Sequence, residues 1–190
     1  MRDAELLDRA VALRAEGRAF LDRHAVEQRL AQAGSVELVG SFVTGLMVWR
    51  DLDVCVDARD LTRSAAWELV LPLVHAADRV RYEEFDEPGD RRHYFVLSVD
   101  GWKLDLSLFT QGIPPEIDEF QRELLGRLDN DLLLLEILRL KELWHRRPEY
   151  PEVVGGYEIC SAVLSGARTP QELDAYLKEK GILRPPSGAG

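Results

Sequence analysis

Two stretches alternate with a period of two, DLDVCVDA at 51–58 and WKLDLSLF at 102–109. Side chains two apart on a strand point to the same side of a sheet. Leu52, Val54 and Val56 therefore make one face of the first strand, and Trp102, Leu104, Leu106 and Leu108 one face of the second. Asp51 and Asp53 share the opposite face, with Cα atoms roughly 6.5–7 Å apart. Lys103, Asp105 and Ser107 take the matching face of the second strand. Charged side chains are costly to bury without partners. Such strands belong in a sheet whose apolar face is covered and whose other face opens on a cleft.

The surrounding sequence supplies that covering. Leu6, Ala10, Leu13, Phe20 and Leu30 recur at helical intervals between Ala4 and about Ala33, as one long or broken amphipathic helix ending at Gly34. VELV at 36–39 reads as a strand, and SFVTGLMV as a short helical turn beginning at Ser41, a favourable N-cap. The segment from Thr62 to Ala77 reads as a helix capped by Thr62 or Ser64, with Pro72 disturbing it. VRYEEF (80–85) and HYFVLSV (93–99) are further strands, and Asp100-Gly101 before WKLDLSLF is a two-residue hairpin signal.

Beyond Gly112-Ile113-Pro114-Pro115 the pattern is helical. NDLLLLEILRLKELWHRR is apolar almost all round and reads as a central helix starting near Asp129 or Asn130 and stopped by Pro148. VVGGYEICSAVLSGA reads as a helix weakened by Gly155 and Gly156. In the last helix Thr169, Pro170 and Glu172 form a capping box, Gly181 closes it, and RPPSGAG is expected to be a disordered tail. The expected organisation is an α/β unit over 1–112, a helical unit over 113–183 and a tail over 184–190.

Of 190 residues, 46% are hydrophobic and 31% charged, and 34 acidic against 24 basic residues leave a net charge of −10. That balance opposes broad attraction to nucleic acid, which is expected not to be a partner, and no strong basic strip offsets it. No apolar segment nears the ~20 residues that span a bilayer, and the first residues lack a signal-peptide core, so no membrane partner and a cytoplasmic location are expected. Cys55 and Cys160 have no metal or disulfide spacing and read as small buried hydrophobes. A homodimer is left open.

If the two alternating strands are neighbours, Asp51, Asp53 and Asp105 gather on one face. Three carboxylates repel unless a cation lies among them, and hard oxygen donors suit one or two Mg²⁺ ions that also hold a substrate's phosphates. Gly40 permits close approach of a phosphate, backbone N–H groups of the turn after it can hold phosphate oxygens, and Ser41 adds a hydroxyl. Residues 42–50 are long enough to return the chain beside the first strand.

Gly40-Ser41, nine intervening residues with Thr44-Gly45 among them, Asp51-Leu52-Asp53 and a later strand bearing Asp105 resemble the signature of the nucleotidyltransferase superfamily. That superfamily includes DNA polymerase beta, aminoglycoside and lincosamide nucleotidyltransferases and many small bacterial proteins. The resemblance covers residues 36 to about 109. It implies an α+β fold, a mixed-sheet core covered by helices on one face and followed by a small C-terminal helical unit. It also implies an enzyme. Asp51, Asp53 and Asp105 would be catalytic metal ligands, Asp105 would help activate the acceptor, and Gly40 and Ser41 would hold the nucleoside triphosphate. The expected reaction moves a nucleoside monophosphate, AMP from MgATP foremost, onto a hydroxyl of a small molecule. A catalytically inactive binding or antitoxin-type module is the alternative, and protein or RNA nucleotidylation a third.

The spacer residues Leu46, Met47, Val48 and Trp49 are apolar and only Arg50 is basic, so charge compensation for a triphosphate is expected from Lys103, or from Arg91 and Arg92. Asp57 reads as a solvated strand end. His24, His75 and His145 read as structural or exposed, and Trp144 with the leucines from 132 to 140 as core. Glu136, Glu142 and Glu158 are candidates for the far wall of the cleft, among which the sequence does not choose.

Overall fold

A computed structural model of the chain describes residues 2–128 and 131–183. Helix α1 (Asp3–Arg23) buries Leu6, Ala10, Leu13, Phe20 and Leu21 along one stripe. The helix breaks at Ala25, whose φ of 49° and ψ of 40° are left-handed, and α2 (Val26–Leu30) follows. A turn through Gly34 leads to β1 (Ser35–Val39), α3 (Gly40–Thr44), β2 (Asp51–Asp57) and α4 (Arg63–Val74), where Thr62 Oγ1 accepts from the Ala65 N–H as a cap. Strands β3 (Arg79–Glu87), β4 (Asp90–Val99) and β5 (Trp102–Phe109) complete the sheet. The hairpin at Asp100-Gly101 has positive φ at both residues, 50° and 76°, the geometry that such a pair favours.

The sheet order is β1-β2-β5-β4-β3. β2 and β5 run parallel and the other neighbouring pairs antiparallel, so the sheet is mixed, as an α+β fold requires. Its apolar face carries Leu52, Val54, Val56, Leu104, Leu106 and Leu108, packed against Leu13, Phe20 and Leu21 of α1, Val26 and Leu30 of α2, and Ala66 and Val70 of α4.

Helices α5 (Pro115–Arg127), α6 (Asp131–Trp144), α7 (Gly156–Leu164) and α8 (Pro170–Glu179) build a second apolar cluster around Ile137, Trp144, Ile159 and Leu173. The predicted start of α6 at Asp129 or Asn130, like the tail at 184–190, lies outside the described residues. Gly155 and Gly156 stand at the start of α7 rather than within it, where Glu158 Oε2 accepts from the Gly155 N–H at 2.8 Å. Thr169 and Glu172 form the expected capping box of α8.

The apolar spacer now has a structural reason. Leu46 and Val48 enter the second cluster while Met47 enters the first, so the loop between Ser41 and Asp51 ties the two together. α1 does the same through Ala10 and Leu13, which belong to different clusters.

One expectation fails here. Ser41 does not cap α3, because the helix already begins at Gly40 with Val39 in the cap position and no side-chain cap bond. Gly40, at φ 69°, turns the chain sharply out of β1, which places Ser41 inside the first turn and frees its hydroxyl for another partner.

Candidate active site

The parallel register of β2 and β5 sets Asp53 opposite Asp105 and Asp51 opposite Lys103. One oxygen from each of Asp51, Asp53 and Asp105 lies within 4.8 Å of the others. Lys103 Nζ donates to Asp105 Oδ2 at 2.8 Å and lies 3.4 Å from Asp51 Oδ1. From β4, the Tyr94 hydroxyl donates to the same Asp105 Oδ2 at 2.7 Å. The remaining oxygen, Asp105 Oδ1, is buried without a hydrogen-bond partner, as is Asp51 Oδ1.

Burial pushes the Asp51 carboxyl up to about 6; Asp105 adds to the rise while Lys103 opposes it. Asp53 is raised well above the ordinary carboxylate range, by burial first and then by Asp51 and Asp105. Such a cluster stores repulsion that a divalent cation relieves. Its donors fit Mg²⁺: all are hard oxygens, two accept no hydrogen bond, and their spread is only slightly above the about 4.2 Å across a Mg²⁺ coordination sphere.

Gly40 lies directly against this cluster. A Cβ there would come within 2.6 Å of Asp53 Oδ2, so only glycine combines that contact with its left-handed backbone. Its N–H is taken by Gln121 Oε1 of α5 at 3.1 Å. Gly40 thus contributes close packing rather than a free donor. The Ser41 hydroxyl accepts from Lys141 Nζ, which reaches across from α6. Lys141 is 1% exposed, and burial lowers its pKa against the nearby Cys160, Asp51 and Asp53, which favour its charged form.

A cavity of about 760 Å³ opens above the carboxylates. Its floor is the polar face of the sheet, with Arg81, Arg92 and Tyr94 on β3 and β4. Its other wall comes from α5 and α7, with Phe120 and Tyr157 in ring contact at 4.5 Å. Glu158 lines this cavity, whereas Glu136 pairs with Arg168 and Glu142 is held by Arg9 and Arg146.

Other candidates also separate. Arg92 lines the cavity, donates to Ser107 Oγ at 3.2 Å and lies over the Phe85, Tyr94 and Phe109 rings. Arg50 pairs with Glu16, and Arg91 with Asp86. His93, beside Arg92 on β4, is buried on the opposite side of the sheet, bonded to Tyr82 and the Leu61 carbonyl, and takes no part in the site. Asp57 pairs with Arg59 at the strand end. Both cysteines are free and buried, and burial pushes the Cys55 thiol up to about 12.

Three contributors were not singled out in the sequence: Tyr94, Gln121 and Lys141. Tyr94 had a signal, since it occupies the polar parity of HYFVLSV between His93 and Phe95. Lys141 had a fainter one, a cation within a helix apolar almost all round. Gln121 had none.

No protein-family model matches the sequence, and no curated protein is significantly similar to it. Solved structures do match. The Cid1 poly(U) polymerase with Mg and 3′-dATP bound is 19% identical, over 80% of this chain and 48% of that one, with a TM-score of 0.60. A cytoplasmic RNA terminal U-transferase is 18% identical, over 84% of this chain and 51% of that one, with a TM-score of 0.55. Cid1 with MgGTP bound is 17% identical over 80% of this chain, with a TM-score of 0.59. The chain spans about half the length of these structures. The chain has the fold of the DNA polymerase beta-like nucleotidyltransferases, the superfamily that its Gly-Ser and paired-aspartate pattern resembles.

Proposed function

We propose that this chain is a Mg²⁺-dependent nucleotidyltransferase that moves a nucleoside monophosphate from a nucleoside triphosphate, MgATP foremost, onto a hydroxyl, releasing pyrophosphate. The observation that carries this reading is the convergence of Asp51, Asp53 and Asp105 within 4.8 Å, beside Gly40-Ser41 and under a cavity large enough for a nucleotide. Bound Mg²⁺ would neutralise charge developing on the α-phosphate and lower the pKa of the attacking hydroxyl.

The chain's own groups take the remaining roles. Ser41 and the Lys141 ammonium, already in contact, form a cationic corner for the triphosphate. Lys103 lies on the same polar face and is a second phosphate candidate. Asp105, whose Oδ2 accepts from Tyr94 and Lys103, keeps Oδ1 without a hydrogen bond and would offer it to the metal or the acceptor hydroxyl.

For the acceptor, the net charge of −10 and the absence of a strong basic strip favour a small hydroxylated molecule, a cationic one in particular. An RNA 3′ end is the second reading, favoured because Cid1 and the terminal U-transferase are RNA enzymes by name. We place the protein in the cytoplasm, where triphosphates and Mg²⁺ are available; among the described residues no helix is long and apolar enough to cross a membrane.

Purified chain with Mg²⁺ and either ATP or UTP, offered a panel of hydroxylated small molecules and an RNA oligonucleotide, should release pyrophosphate with one acceptor class. Asp53→Asn should abolish turnover and Mg²⁺ binding together. Unchanged Mg²⁺ affinity in that variant would remove the basis of the reading. Tight MgATP binding without turnover on any acceptor would favour the inactive binding module.

A further inference from the structure

The divalent-ion site already has a cationic occupant, the ammonium of Lys103. Among the described residues, it is the cation in contact with the cluster: it donates to Asp105 Oδ2 at 2.8 Å and lies 3.4 Å from Asp51 Oδ1. The parallel register makes this unavoidable. Lys103 is the cross-strand partner of Asp51, and Asp105 lies two residues further on the same face. The side chain is 21% exposed, against 16% for Asp51 and 12% for Asp105, so the three share one largely dry pocket. Nζ also lies 5.7 Å from the centre of the Trp49 ring, which gives the ammonium a second place to rest beside the cavity.

We propose that Lys103 is an exchangeable counter-ion: it balances the carboxylates until a divalent cation binds, and then leaves them for the cavity. A divalent ion bonded to these carboxylates would lie within several ångströms of the ammonium, and like charges that close in one largely dry pocket repel strongly enough to drive the ammonium off its oxygens. The displaced ammonium stays on a side chain anchored in β5, where it meets the phosphates that arrive with the ion. Nucleotide-free metal is therefore held weakly, because it must displace a resident charge. Metal that arrives with its triphosphate is held better, because that charge finds a new partner. This inference rests on the metal site proposed above.

The test is Mn²⁺ binding without nucleotide, measured by calorimetry on the wild-type chain, Lys103→Met and Lys103→Arg. Lys103→Met should bind Mn²⁺ at least about tenfold more tightly than wild type, since it removes a unit charge several ångströms from a divalent ion. Lys103→Arg, which keeps the charge, should stay near wild type. Equal or weaker binding by Lys103→Met would overturn the exchange and leave the metal site standing. Absence of Mn²⁺ binding in every form would overturn the metal site itself and the exchange with it.

A wild-type measurement covers the case in which Lys103→Met fails to fold. Acylation of Lys103, followed by peptide mass spectrometry, should become severalfold faster on adding Mg²⁺, because the amine leaves its ion pairs. An unchanged rate, with Mg²⁺ binding demonstrated, would overturn the proposal.

Discussion

Gly40 and Asp53 touch so closely that no side chain fits between them: a Cβ on residue 40 would lie 2.6 Å from Asp53 Oδ2. Gly40 opens α3 directly after β1, whose last residue, Val39, pairs with Asp53 of β2. The proposed phosphate corner and the proposed metal ligands are thus a single packed unit rather than neighbouring motifs.

Gly40→Ala tests that unity. The left-handed backbone alone costs an alanine about 1–2 kcal/mol. The contact with Asp53 adds a displacement of a proposed metal ligand. The expected outcome is a lower melting temperature together with loss of Mg²⁺ binding. Gly89→Ala, in the β3–β4 turn at φ 88° with nothing within 4 Å of its added Cβ, should show the backbone cost alone.

The raised carboxyl of Asp51 predicts an unusual pH dependence. Its ordinary value is 3.8 and its folded value about 6, so the folded chain holds the proton more tightly than the unfolded one. The stability this contributes is fully present below pH 3.8 and is lost as pH rises through 6. Melting temperature measured in chelator should therefore be higher at pH 5 than at pH 7.5, with the share from Asp51 worth about 1.5 kcal/mol of the ~3 kcal/mol that is complete only below pH 3.8. Asp3 and Glu172, whose carboxyls are lowered, give the opposite slope only below the ordinary carboxylate range. Mg²⁺ competes with the same proton, so its stabilising effect should shrink between pH 7.5 and 5. Asp51→Asn should lessen both trends without abolishing them, because Asp53 is raised in the same direction; an undiminished slope in that variant would assign them elsewhere.

Lys141 predicts a separation of stability from binding. Its buried ammonium is costly to the fold, as its lowered pKa records, yet it is directed at Ser41 and the cavity. Lys141→Met keeps the volume and removes the charge. It should melt at or above the wild-type temperature while weakening ATP binding by about 10- to 100-fold, the range for a charged hydrogen bond. A lower melting temperature with unchanged ATP affinity would mark the residue as purely structural.

How much of this was legible differs by residue, and the difference is physical. Asp51, Asp53 and Asp105 could be placed because strand parity is strict, and the single assumption that β2 neighbours β5 brought all three together. Tyr94 obeys the same parity, but a tyrosine in a strand is as often packing as function. Lys141 meets Ser41 from a hundred residues away, through the docking of α6, and no local period encodes that contact. The mistaken Ser41 cap has the same origin. Serine before an apolar run is a good local cap signal, but Gly40 had already turned the chain and started the helix.

Leu46 carries the last prediction, because the loop from 45 to 50 has two duties. It returns the chain from Ser41 to Asp51, and its apolar residues lodge in the two clusters, Met47 in one and Leu46 and Val48 in the other. Leu46 is 1% exposed and also lines the cavity. Leu46→Ala should cost about 2–5 kcal/mol, as for a leucine removed from a close-packed interior. Arg50→Ala, four residues on, breaks an exposed ion pair with Glu16 and should cost no more than about 1 kcal/mol. If the loop only connects two strands, the two substitutions should weaken ATP binding equally little once each protein is assayed well below its melting temperature. If it sets the distance between the phosphate corner and the aspartates, Leu46→Ala should still bind ATP more weakly under those conditions and Arg50→Ala should not.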